Sequence, residues 1–131
     1  MKDTKLWIII AGISGFTSVA IGAFGAHVLS NSLSPDMMEI YKTGVLYQLV
    51  HSAVLLALAL FGNKRFNLSK IFFLTGIILF SFSLYLYAVT SVILYAYITP
   101  LGGISLLIGW LFVIIGAFNL EKDREIIEDR C

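Results

Sequence analysis

The chain has 131 residues, 59% of them hydrophobic and 13% charged, with a net charge of +1 and a single cysteine, Cys131, at its last position. So little charge leaves no basic field for nucleic acid and no acidic field for cationic partners, and a lone terminal cysteine excludes both an internal disulfide and a prenylation box. A mean hydropathy of +0.93 points instead to lipid as the solvent, and the length suits a single transmembrane domain over residues 1–131.

Lys2 and Lys5 precede the first apolar block, Leu6 to Leu29. A signal-peptide core spans only about 7 to 15 residues, so this longer block reads as a membrane span and not as a leader cleaved near Ala23, Gly25 and Ala26. Ser34-Pro35 then marks a helix start: a serine oxygen at the N-cap accepts from an orphan backbone N–H, and proline at the first helical position gives up an N–H that had no partner. Asp36 and Glu39 sit at the positive end of that helix dipole. The pattern predicts a short outer helix from Pro35 leading into the second span, Gly44 to Phe61, with the bend at Gly44.

Lys64, Arg65 and Lys70 separate that span from the third, Ile71 to Thr90. Between Lys70 and Glu121 the fifty residues Ile71 to Leu120 contain no acid, base or histidine. At about 1.5 Å per residue they suffice for two crossings of a hydrocarbon core roughly 30 Å thick. Thr99-Pro100 repeats the hydroxyl-proline start, which places the fourth span at Leu101 to Leu120. The tail Glu121 to Arg130 carries charges of both signs and reads as a continuation of the last helix into solvent.

Blocks this apolar span lipid as helices, because the bilayer offers backbone groups no partner and a barrel would show alternating ten-residue segments. The fold class is therefore all-α, an integral membrane four-helix bundle. Eight of the nine Lys and Arg residues fall at the N-terminus, in the middle loop or after the fourth span, and only Lys42 falls on the other side. The positive-inside rule then puts both termini in the cytoplasm, N-in and C-in.

Small residues recur along two of the spans. Ala11, Gly15, Ser18, Gly22 and Gly25 share one face of the first, and Gly102, Ser105, Gly109 and Gly116 run down the fourth. Lipid gives helices no hydrophobic reason to associate, so close approach over small residues is how they gain dispersion contacts. The expectation is that spans one and four pack antiparallel through these faces. A sharper reading adds a second face, Ser14, Ser18, Gly22 and Ala26, that joins copies of the chain.

Strongly polar groups inside a membrane are costly and mark candidate sites. They are few here: His27 near the outer end of the first span, Tyr47, Gln48 and His51 in the outer half of the second, Ser81, Ser83 and Tyr85 in the third, and Thr99 at the start of the fourth. Tyr47, Gln48 and His51 share a helical face by their three- and four-residue spacings. Four readings compete for this cluster: a metal site, a proton relay or quinone-type redox role, a lipid or small-ligand pocket, and plain interhelical hydrogen bonding. A zinc site wants three or four ligands, which two histidines do not supply, and no cofactor motif is present. Catalysis finds no nucleophile–base spacing, and a single copy has no charge at its centre to form an aqueous path.

Several strings are specific: Gly22-Ala23-Phe24-Gly25-Ala26-His27, Tyr47-Gln48 followed by His51, Leu79-Phe80-Ser81 with Ser83-Leu84-Tyr85, Ile98-Thr99-Pro100-Leu101-Gly102-Gly103, and Gly109-Trp110. Together they resemble the small bacterial membrane proteins grouped as domain of unknown function 423, with eukaryotic transmembrane protein 256 as a relative. One departure is Phe82, where the family's string carries a small residue. The resemblance implies a multi-pass protein of the bacterial plasma membrane without assigned chemistry, and His27, Gln48, His51, Thr99, Gly102 and Gly103 match its strings. The expected function is thus a structural, accessory or oligomerising one, in contact with the bilayer and with a second copy or another membrane protein; the alternative is binding or transport of a lipid or small ligand. No enzyme activity, cofactor or metal is expected.

Overall fold

The computed structural model describes the backbone of residues 2–128 and the side chains of residues 3–120. Expectations for Cys131 and for the charged side chains after Leu120 lie outside the described residues. Four helical spans are long and apolar enough to cross a membrane: Asp3–Leu29, Pro35–Phe61, Lys64–Thr90 and Ile93–Leu120. Each is about 40 Å long at 1.5 Å per residue, longer than the roughly 30 Å hydrocarbon core, so the polar ends of every span reach the interfaces. No strand occurs among the described residues.

Local chemistry sets the turns. The first helix, Lys2–Phe24, widens into a π turn at Gly25–Leu29, and the chain reverses through 30–34. Ser34 caps the second helix by accepting from the Met37 N–H at 3.3 Å, with Pro35 in the first helical position. That helix ends at Gly62, whose φ of 70° is a left-handed conformation that glycine adopts without penalty. Asn63 then accepts from the Arg65 N–H at 2.9 Å and starts a short 3₁₀ turn, Lys64–Phe66. The third span is helical over Asn67–Gly76, passes through a π segment at Ile77–Phe82, and resumes over Ser83–Thr90.

The helix starts at Pro35, as expected, and runs on without a break through Gly44 to Phe61; the start of the fourth span differs. A Cβ at Gly44 would lie 2.7 Å from the Tyr85 ring and 3.1 Å from the Ser81 carbonyl oxygen, so this glycine makes room for a neighbouring helix. The fourth helix begins at Ile93, and Pro100 lies inside it. In water an interior proline is a strong breaker, but in lipid a chain that left the helix would expose several backbone groups, whereas passing through Pro100 forfeits only one bond.

The helices pack as two antiparallel hairpins, span one on span two and span three on span four, with spans two and three joined between them. Spans one and four do not form a packed pair, which corrects the expected partnership of the two small-residue faces. Gly22 lies against Val45, where a Cβ would sit 3.1 Å from Cγ1; Gly25 lies under the Tyr41 ring; and Ser18 donates to the Val45 carbonyl at 3.2 Å. In the fourth span a Cβ at Gly109 would lie 2.7 Å from the Phe73 ring and one at Gly116 2.7 Å from the Phe66 ring, while Ser105 donates to the Phe72 carbonyl at 2.8 Å. Short connections make sequential spans antiparallel neighbours, and each small face is spent on its hairpin partner. Of the second face expected to join copies, Ser14 and Ser18 are buried within the chain, Gly22 is half-buried and Ala26 is exposed.

The interior is no more apolar than the exterior. Gln48, Ser18, Ser52, Ser69 and Ser81 are buried beside Phe73, Leu55 and Ile77, while Phe16, Leu107 and Tyr97 stand out with 76%, 70% and 71% of their surface free. Such an outward apolar belt is what lipid covers. At the end that holds both termini, the Lys70 ammonium lies 5.4 Å from the centre of the Trp7 ring, a cation–π contact between spans three and one.

Adjacent glycines give a sharp test of the packing. A Cβ at Gly102 would strike the backbone nitrogen of Phe80 and lie 2.7 Å from the Leu79 carbonyl carbon, whereas one at Gly103 would meet only the Phe80 ring at an ordinary 3.8 Å. Gly102→Ala should therefore destabilise the protein by roughly 1–3 kcal/mol, and Gly103→Ala should change stability by no more than about 0.5 kcal/mol. Thermal unfolding in detergent followed by circular dichroism measures both, and equal responses would contradict the close approach of spans three and four.

Candidate functional site

Gln48 is the central residue of Pro35–Phe61, about 20 Å from either end of that helix. Its Nε2 donates to the Ser14 carbonyl and to Thr17 Oγ1, both at 2.9 Å, and its Oε1 accepts from the Tyr85 hydroxyl at 2.8 Å. One side chain thus ties spans one, two and three together. Because the Ser14 carbonyl only accepts, the orientation of the amide is fixed. Ser14 and Ser52 hydroxyls meet at 2.6 Å beside it, and Ser52 donates on to the Gln48 carbonyl at 2.6 Å. The Tyr85 ring packs 5.2 Å from that of Tyr41, whose hydroxyl donates to the Ile21 carbonyl at 2.8 Å.

One turn further, His51 faces the fourth span. Its Nδ1 lies 2.8 Å from the Tyr47 carbonyl, which can only accept, so Nδ1 carries the proton. Its Nε2 is then the acceptor for the Trp110 indole N–H, 3.2 Å away. The Tyr47 carbonyl thus fixes the tautomer, and the Trp110 donor selects the neutral imidazole. The Tyr47 ring stacks between His51, at 5.8 Å, and Phe80, at 4.5 Å. Among the described residues the Tyr47 hydroxyl has no hydrogen-bond partner.

These groups rim a cleft of about 560 Å³ between spans two and four, walled by Leu46, Val50, Leu106 and Leu107 and floored by Tyr47, His51 and Trp110. Gly103 lies in its wall, where a larger residue would fill it. The cleft opens toward the lipid: Leu46 and Leu107 are more than half exposed.

The predicted cluster is therefore divided. Tyr47 and His51 line the cleft, and Gln48 points the other way into the three-span network. Thr99 lies elsewhere, its hydroxyl 2.8 Å from that of Ser83, so it links spans three and four and does not cap a helix. His27 is exposed on the π turn and shares no contact with Gln48 or His51. Asp36 and Glu39 do not join the histidines, and among the described residues no three of His, Cys, Asp and Glu come together as a metal-ligand set. Trp110 is the residue that sequence reasoning passed over as a site. Its signal was the Gly109-Trp110 string, where a small residue against the third span leaves the next residue to turn toward the second.

A family model described as protein of unknown function (DUF423) matches residues 21–103. The chain is 41% identical over 123 residues to the UPF0382 inner membrane protein YgdD of Escherichia coli (strain K12), a match covering 91% of this chain and 94% of the relative. It is 41% identical over 125 residues to a UPF0382 membrane protein of Haemophilus influenzae, covering 93% and 99% of the two chains. With the UPF0382 membrane protein YwdK of Bacillus subtilis (strain 168) the identity is 33% over 118 residues, covering 86% and 96%. No solved structure matches.

The amide–phenol bond at the centre of the bundle should be measurable on its own. A double-mutant cycle of Gln48→Leu and Tyr85→Phe, read by unfolding in detergent, should give a coupling of about 0.6–1.7 kcal/mol, the range found for interhelical hydrogen bonds in membranes. Strictly additive losses would show that the two side chains do not act on each other.

Proposed function

We propose that this chain, which belongs to the DUF423 family and is a multi-pass protein of the plasma membrane, works as an accessory protein that binds a molecule dissolved in the bilayer and does not catalyse a reaction. The observation that carries this reading is the division of polar groups. Gln48, Ser14, Thr17, Ser52 and Tyr85 use their bonding capacity on one another, and Ser83 and Thr99 do the same. The Tyr47 hydroxyl, beside the His51–Trp110 pair, is left at a cleft of about 560 Å³. Pockets of about 300–1,000 Å³ with apolar walls and a few converging polar groups are the usual form of small-molecule sites.

Self-assembly has less to draw on, since most of the small residues on spans one and four are taken up within the hairpins. The charge distribution supports both termini and the loop at Asn63 facing the cytoplasm, which puts the His51 end of the cleft nearer the cytoplasmic leaflet.

Two measurements bear on the proposal. Native mass spectrometry from mild detergent should show wild-type protein carrying a small-molecule adduct, and Gly103→Leu should lose it while melting within a few degrees of wild type. An adduct that survives Gly103→Leu would place binding elsewhere, and bare wild-type protein would argue against binding altogether. Reporter fusions after Asn63 should show cytoplasmic activity; extracytoplasmic activity would reverse the orientation.

A further inference from the structure

The depth and charge of the cleft narrow its occupant. Resting on the binding reading above, we infer that it takes an uncharged lipophile bearing a hydroxyl or carbonyl, held by that group at Tyr47 and His51 near the bilayer midplane, and not a phospholipid by its headgroup. Tyr47 is one residue and His51 three residues from the centre of Pro35–Phe61, so they lie within about 5 Å of the helix midpoint along its axis. Trp110 is at a matching depth in Ile93–Leu120. A phosphate at the membrane surface would remain more than about 10 Å away, given a hydrocarbon half-thickness near 15 Å.

Charge gives the second restriction. No residue lining the cleft is an acid, a lysine or an arginine, and His51 is held neutral because its Nε2 accepts from the Trp110 indole N–H. An ionised ligand group would be buried here without a counter-ion, which hydrocarbon penalises heavily. A neutral hydroxyl or carbonyl meets what the site offers. The Tyr47 hydroxyl donates to a ligand oxygen, and a ligand hydroxyl donates to His51 Nε2 in place of the Trp110 indole. That indole bond, at 3.2 Å, is at the long end for an N–H donor, and the freed N–H lies beside the same ligand oxygen. A bound ligand thus gives the Tyr47 hydroxyl a partner, while His51 Nε2 and the Trp110 N–H each keep one.

Photolabelling in phosphatidylcholine vesicles tests this. Two probes share one diazirine-bearing dodecyl chain, one ending in a hydroxyl and the other in a phosphate. The alcohol probe should label the peptides holding Leu46, Val50 and Leu107, unlabelled dodecanol should compete, and Gly103→Leu should abolish the labelling. Tyr47→Phe, which keeps the ring between His51 and Phe80, should weaken competition by about fivefold, the worth of one hydrogen bond. Equal labelling of the cleft by the phosphate probe overturns the ligand class and leaves binding at the cleft standing. Labelling of the cleft by neither probe overturns the inference, and if Gly103→Leu also keeps its native-mass adduct, the binding reading falls with it.

Discussion

A primary amide buried within a membrane span has nowhere to send its hydrogen bonds except into the protein, and the arrangement of this bundle follows from how Gln48 does so. Its three bonds end on the backbone and Thr17 of the first span and on Tyr85 of the third. Sliding either helix by one residue, about 1.5 Å along its axis, would break bonds that lipid cannot replace. Dispersion contacts over small residues bring helices together but tolerate neighbouring registers; a directional bond in a medium without competing donors does not. The amide therefore does for register what glycine faces do for distance. The fourth span lies outside this network and is set instead by the contact of Gly102 with the Phe80 backbone and by the Ser83–Thr99 pair.

The spans were legible because hydropathy measures the solvent of a segment, and that property is local. Which helix meets which was not legible. Gly22 and Gly109 announce that something approaches closely, yet a missing side chain carries no information about the partner, and both stripes met the adjacent hairpin helix where the first and fourth had been paired with each other. Thr99-Pro100 misled for a related reason. Hydroxyl-proline is a good start signal when the alternative is solvated coil, but in lipid the alternative is an unsatisfied backbone, and the helix extends back to Ile93.

Of the candidate site, Tyr47, Gln48 and His51 were readable as one polar face, since periodicity alone places them together. Their division into a sealed network and an open cleft was not. That division depends on Trp110, fifty-nine positions from His51, and on Tyr85, thirty-seven from Gln48, and no local pattern joins residues so far apart. His27 looked equivalent to His51 by residue type and by its string. Its exposure on a π turn, against the burial of His51, separates the two.

A cleft that opens into lipid works under a different rule from one that opens into water. Apolar walls such as Leu46, Val50 and Leu107 contribute little to selection, because a ligand's hydrocarbon body is already surrounded by chains of similar character before it enters. Lipid tails are also present in vast excess and compete for any purely apolar groove. Discrimination must come from the few polar atoms at the floor, where a donor or acceptor that had no partner in the bilayer finds one. Tyr47 and His51 are placed for that role by the same constraint that fixes Gln48, since the helical face that buries the amide against spans one and three turns the residues before and after it toward the fourth. Sealing one polar group and exposing its neighbours are thus two consequences of a single helix orientation.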